Sequence, residues 1–180
     1  MRVIAGSLKG RRLEAPDWDG LRPTSDKLRE TLFNVLAPRI AGARVLDGFA
    51  GTGAVGIEAI SRGAVHVTFV EADSRAVRLI QRNLERCGVG DRYAIIRERF
   101  ADAARRVIAG SFDLVFLDPP YRAEDIAGAL DAAAPLIASD GLVILEHARR
   151  DAAPAAAASI MKTRDIVSGD SALTIYGAAG

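Results

Sequence analysis

From residue 43 onward the chain alternates two kinds of apolar pattern. Short runs of Val, Ile, Leu and Phe occupy 43–47, 65–70, 93–97, 113–117 and 142–146, and between them 54–62, 74–87, 101–109 and 123–138 carry helical spacing. Near-continuous apolar strands separated by helices predict a parallel sheet covered on both faces. Gly48 stops the first strand, Gly63 and Gly88 close the first two helices, and Asp73 stands where the long helix starts. Two last apolar runs, 160–167 and 172–176, flank Ser168-Gly169-Asp170, a turn suited to an antiparallel hairpin at the sheet edge. The prediction is an α/β fold with a mostly parallel seven-stranded sheet. The Ala-rich stretch 152–158, broken by Pro154, reads as a linker or a frayed helix.

The first 44 residues follow a different pattern. Arg2-Val3-Ile4 and Arg11-Arg12-Leu13-Glu14 flank a turn from Gly6 to Gly10 and predict a small hairpin. A loop with Pro16, Gly20 and Pro23 follows. Leu28, Leu32, Val35 and Leu36 then recur at helical spacing, with Thr24 placed to cap the start, Asp26 in the first turn, and Pro38 and Gly42 ending the helix. The division is an extension over residues 1–40 and a main domain over 41–180.

Composition narrows the class. A chain of 180 residues, 49% hydrophobic and 26% charged, is one globular domain with a small appendage. Cys87 is the only cysteine, so neither a disulfide framework nor a cysteine zinc cage is expected within one chain, and no metal site is predicted. No apolar run reaches the ~18 residues of a membrane span, and the basic N-terminus lacks a signal-peptide core. A reducing, cytoplasmic location is the expectation. The net charge of +1 conceals a basic arm in which Arg2, Lys9, Arg11 and Arg12 meet no acid before Glu14. Such an arm either is solvated or holds the phosphates of a polyanion, a contact that salt weakens.

The first strand runs into Asp47-Gly48-Phe49-Ala50-Gly51-Thr52-Gly53 and then a helix. Ligands of open parallel sheets sit at this point, beyond the carboxyl ends of the strands. A plain tight turn needs one glycine, whereas three let the backbone approach a ligand closely. Gly51-x-Gly53-x-x-Gly56, with Glu71 twenty residues beyond Gly51, also satisfies the dinucleotide fingerprint. Charge separates the two cofactors. A pyrophosphate near Asp47 would meet repulsion of order 1–4 kcal/mol at ~4 Å, whereas S-adenosylmethionine brings an ammonium and a sulfonium. Glu71, followed by Ala72 at the end of the second strand, is placed to accept both ribose hydroxyls of an adenosine.

Asp118-Pro119-Pro120-Tyr121 closes the fourth strand. Two prolines remove two donors, leaving neighbouring carbonyls as acceptors, and Tyr121 offers a ring for a base to stack on. An amine on a nucleobase ring is a poor nucleophile because its lone pair is delocalised. Acceptors on both its hydrogens favour a pyramidal nitrogen and act most strongly as positive charge develops there. No strong general base is needed. The plain alternative is a loop breaker with Tyr121 packed on a helix.

These residues carry a resemblance. Asp47–Gly53, Glu71 and Asp118–Tyr121 resemble the Rossmann-like class I S-adenosylmethionine-dependent amino-methyltransferases. The segments Arg2-x-Ile4-x-Gly6-x-x-Lys9-Gly10-Arg11 and Leu21-Arg22-Pro23-Thr24-x-Asp26-x-x-Arg29-Glu30-x-Leu32-Phe33-Asn34 resemble the RsmD family, as does Ser168-Gly169-Asp170-Ser171-x-Leu173. The resemblance implies methylation of the N2 amine of one guanine in small-subunit (16S) ribosomal RNA. The expected partner is ribosomal RNA or a small-subunit assembly particle, and a monomer suits an enzyme that must reach into a large particle. The resemblance also implies that Asp118, Pro119, Pro120 and Tyr121 handle the base, and that Asp47, Gly48, Phe49, Gly51, Gly53, Glu71 and Ala72 hold the cofactor. It further implies that Arg22 and Thr24 close over the methionine end. Arg99 stands where relatives place an acid or amide against the adenine, so groups near Phe100 are expected to serve instead. The rivals are DNA adenine-N6 methylation, a nicotinamide-dependent oxidoreductase and a non-catalytic RNA-binding module.

Overall fold

The computed structural model describes residues 1–21, 24–119 and 123–179, with the backbone alone at 123–125. Helices α1 (Asp26–Val35) and α2 (Ala37–Ile40) precede the sheet. Then come β1 (Arg44–Asp47), α3 (Ala54–Ser61), β2 (His66–Val70), α4 (Ser74–Cys87) and β3 (Tyr93–Ile96). α5 (Phe100–Ala104), β4 (Phe112–Leu117) and α6 (Ala123–Ala133) follow. β5 (Ile137–Ala148), β6 (Ala156–Ala157), β7 (Ile160–Ser168) and β8 (Ser171–Ala178) complete the order.

The strands stand in the order β3-β2-β1-β4-β5-β8-β7-β6. The first five are parallel and the last three join antiparallel. The sheet therefore has eight strands, not seven. The extra one comes from the Ala-rich stretch, where Ala156 and Ala157 pair with Met161 and Ile160 at the outer edge. Proline chemistry explains two further departures. Pro38 sits in the first turn of a separate helix, α2, instead of ending α1, which stops at Val35, since the first helical turn tolerates a missing N–H. Pro135 ends α6 early, and a short 3-10 turn over Ala134–Leu136 leads into a β5 that starts five residues before the predicted strand. Ser25, not Thr24, caps α1, its hydroxyl accepting from the Leu28 N–H at 3.2 Å.

Alternation along the strands divides the core in two. Val45, Leu114 and Phe116 face α1, α3 and α4, whereas Leu46, Val115 and Leu117 face α5 and α6. Each such side chain contributes roughly 1.5–3 kcal/mol of burial. The long helix α4 matches its predicted bounds. Asp73 accepts from the Arg75 N–H at 2.7 Å at its start, and Gly88 adopts a left-handed conformation at its end.

The N-terminal arm forms the expected hairpin in its smallest form, an antiparallel bridge between Arg2 and Arg12. It is fastened down, not loose. The buried Glu58 of α3 accepts the N–H groups of Ile4 and Ala5 at 2.8 and 3.0 Å and the Arg62 Nε–H at 2.8 Å. Buried Arg29 of α1 donates to the Arg2 carbonyl at 2.7 Å and to Asp26 at 2.8 Å. Asn83 of α4, fully buried, bonds both the N–H and the carbonyl of Glu14 and donates to the Thr52 carbonyl. Among the described residues no helix is long and apolar enough to cross a membrane.

Candidate active site

Strand order reverses at β1 and β4, and the crevice beyond their carboxyl ends is where an open α/β sheet accepts ligands. The glycine loop leaves β1 there and enters α3 through Gly53, whose left-handed φ of 77° places no side chain at the helix cap. Asp47 supplies the missing cap from below, accepting the Gly56 N–H at 3.0 Å. Gly56 itself lies against β2, and a Cβ there would overlap the Phe69 ring and press on Val67. Gly56→Ala should therefore cost about 1–3 kcal/mol and lower the melting temperature by several degrees. An unchanged melting curve would show that α3 can lift off the sheet freely.

Four strands deliver a carboxylate to this crevice. Asp47 ends β1, Glu71 follows β2, Asp118 follows β4 and Glu146 lies in β5 next to Leu145, the partner of Leu117. All four line one cavity of about 420 Å³, which also reaches Leu21, Thr24, Phe49, Gly51 and Pro119. No Lys, Arg or His is among its described lining residues. Burial pushes the Asp47 carboxyl up to about 7; the Gly56 N–H pulls it down, and the nearby charges of Glu71 and Asp118 push it up further. Burial likewise raises Asp118 to about 6. A cavity of this kind gains free energy by admitting a cation and loses it by admitting a phosphate.

Glu71 has a second task that its place in the sequence did not disclose. One of its oxygens accepts the Gly51 N–H at 2.9 Å and the other the Asp73 N–H at 2.8 Å, so it braces the glycine loop from the neighbouring strand. Further lone pairs on both oxygens remain for hydroxyl donors. Beyond Phe49 a second cavity of about 440 Å³ lies between Gly48, Glu71, Ala72, Arg99 and Phe100. Phe49 and Glu71 border both cavities, and the Phe49 and Phe100 rings lie 5.3 Å apart.

Of the predicted site residues, Asp47, Phe49, Gly51, Glu71, Thr24, Asp118 and Pro119 meet at the first cavity, and Gly48, Ala72 and Phe100 at the second. Gly53 shapes the loop behind them. Arg22, Pro120 and Tyr121 lie outside the described residues. Arg2, Lys9, Arg11 and Arg12 are all exposed. Glu146, to which Thr24 donates at 3.3 Å, was not anticipated. Its sequence signal is an acid that ends the apolar run 142–146, as Asp47, Glu71 and Asp118 end theirs.

A family described as "Conserved hypothetical protein 95" matches residues 1–177. Ribosomal RNA small subunit methyltransferase D of Escherichia coli K12 is 35% identical over 98% of this chain and 89% of its own. The YlbH protein of Bacillus subtilis 168 is 37% identical over 98% of both. The solved yhhF structure from Escherichia coli superposes with a TM-score of 0.87, at 30% identity, covering all of this chain and 98% of that one. With this sheet order, this crevice and relatives matching from end to end, the chain belongs to the RsmD family of ribosomal RNA methyltransferases.

Proposed function

We propose that the chain transfers a methyl group from S-adenosylmethionine to the exocyclic N2 amine of a guanine in small-subunit ribosomal RNA. The observation that carries this reading is the cavity bordered by the four carboxylates of Asp47, Glu71, Asp118 and Glu146. That donor set fits a cofactor bearing an ammonium and a sulfonium and disfavours the pyrophosphate of a dinucleotide. Bound there, S-adenosylmethionine supplies an electrophilic methyl on a cationic sulfur.

The chain's own residues do the rest. Glu71 is the acceptor for ribose hydroxyls, with Ala72, Gly48, Phe49 and Phe100 around the adenine. Asp47 holds the glycine loop and supplies negative charge. Arg22 and Thr24 close the methionine end. Asp118 and the carbonyls of Pro119 and Pro120 accept the two amine hydrogens, and Tyr121 stacks on the guanine. The amine so held would form its bond to the methyl as the methyl–sulfur bond breaks, leaving neutral S-adenosylhomocysteine, and its surplus proton leaves to water once the nitrogen is cationic. The arm residues Arg2, Lys9, Arg11 and Arg12 hold phosphates. The extension over 1–40 thus serves RNA and cofactor closure, and 41–180 the chemistry. The substrate is ribosomal RNA or a small-subunit assembly particle in the cytoplasm, and the enzyme acts as a monomer.

The test is mass mapping of ribosomal RNA from cells with and without the gene. The expected result is one guanine that loses a methyl in the deletion and regains it on complementation. A methyl lost from adenine, or from DNA instead, would overturn the substrate assignment.

A further inference from the structure

Arg11 of the basic arm and the cavity stand at opposite ends of α4, while the start of the arm lies nearer the cavity, where Thr52 reaches Met1 at 3.9 Å. Arg11 donates to the Arg86 carbonyl at the last turn of the helix (3.4 Å), while Trp18 lies under the Arg75 guanidinium (5.1 Å) at its first turn. Glu14 lies between them, bonded to Asn83 and Arg82. Residues 11–18 therefore run antiparallel along α4, and Gly20 and Leu21 then enter the cavity wall. From Arg75 to Arg86 the helix rises about 16 Å. Arg11 can hold an RNA whose target base is in the cavity only if the strand between them crosses this distance.

We infer that the exposed face of α4 carries the RNA strand from the arm to the cavity mouth, with Arg78, Arg82 and Arg86 as phosphate contacts and Trp18 beside the last nucleotides before the target. The inference rests on the proposed RNA substrate and adds the path that the substrate takes. Arg78, Arg82 and Arg86 recur every four residues, so they form one stripe, and all three are exposed. Arg78 pairs with no acid among the described residues. Glu14 is shared by Arg82 and Arg86 at 3.1 and 3.7 Å, which leaves that pair with surplus positive charge. With Arg2, Lys9, Arg11 and Arg12 the cations outnumber Glu14, Asp17, Asp19, Asp73 and Glu85 on this side. A basic face on a sheet-covering helix is ordinary. What distinguishes this one is an aromatic ring at the end nearest the cavity and a second basic element at the other, the combination that single-stranded nucleic acid uses.

The experiment compares Arg78→Glu/Arg86→Glu with Arg150→Glu/Arg164→Glu, the same charge change on exposed residues elsewhere. In the α4 variant the KM for ribosomal RNA should rise about tenfold or more, and the salt dependence of binding should lose a slope of about two. Its melting temperature and its affinity for S-adenosylhomocysteine should match the wild type, and the control pair should leave the RNA KM nearly as it was. Trp18 is the only tryptophan, so its fluorescence should change when RNA binds. An α4 variant with the control's KM and slope, or a fluorescence blind to saturating RNA, overturns the path while leaving the substrate assignment intact. A wild-type enzyme that methylates no ribosomal RNA overturns the substrate itself.

Discussion

Asp118→Ala should lower methyl transfer by at least 10²–10³-fold, the usual cost of losing one placed electrostatic partner of a transition state. The affinity for S-adenosylhomocysteine should change by only a few-fold, because Glu71 and the glycine loop hold the cofactor. Asp118→Asn discriminates between two roles. An amide oxygen still accepts one hydrogen bond, so an acceptor role leaves the Asn variant well above the Ala variant, whereas a general-base role leaves both equally inactive. The pH profile adds a second readout. Burial holds the Asp118 carboxyl at about 6, so protonation as pH falls through 6 removes an acceptor, and kcat/KM should decline there. With S-adenosylmethionine saturating, so that Asp47 does not enter through cofactor affinity, the Asn variant should lack that acid limb in kcat/KM for RNA. Equal rates for wild type and Ala variant would remove Asp118 from the chemistry.

The legible and illegible parts of the fold divide along a physical line. Elements whose bounds are set by local chemistry matched closely, as α4 did, because Asp73 and Gly88 fix its ends whatever surrounds it. Elements set by a distant partner did not. Ala156 and Ala157 have no strand propensity, and they pair only because Ile160 and Met161 turn back beside them. The site follows the same rule. Asp47 and Asp118 are visible because each ends an apolar run beside glycine or proline, and Glu71 because it ends the next strand at twenty residues from Gly51. Glu146 ends a run too, but it meets the others only through the pairing of β4 with β5 and the approach of Thr24. The brace from Glu71 to Gly51 and the three hydrogen bonds of Asn83 span 20 and up to 69 residues, a range at which no sequence periodicity speaks.

Asp47→Asn is expected to move two measurements in opposite directions. The unfolded chain releases the Asp47 proton near 3.8 and the folded one near 7, so between those values the folded state binds the extra proton. Stability of the ligand-free protein therefore falls as pH rises from about 4 to about 7, by roughly 4 kcal/mol if the full difference is expressed. Asparagine cannot ionise, and its amide oxygen can still accept the Gly56 N–H. At pH 8 the variant should melt higher than the wild type, with a gain on the order of 1–2 kcal/mol after the weaker hydrogen bond is allowed for. The same change removes negative charge from the crevice that receives a cation. Affinity for S-adenosylmethionine should drop by an order of magnitude, and that for S-adenosylhomocysteine, whose sulfur is neutral, by less. In the wild type the affinity for S-adenosylmethionine should climb between pH 6 and pH 8 as Asp47 and Asp118 ionise, and in the variant the climb should flatten. A variant that is less stable at pH 8, or that binds the sulfonium and the thioether with the wild-type ratio, would show that Asp47 serves only as the cap of α3.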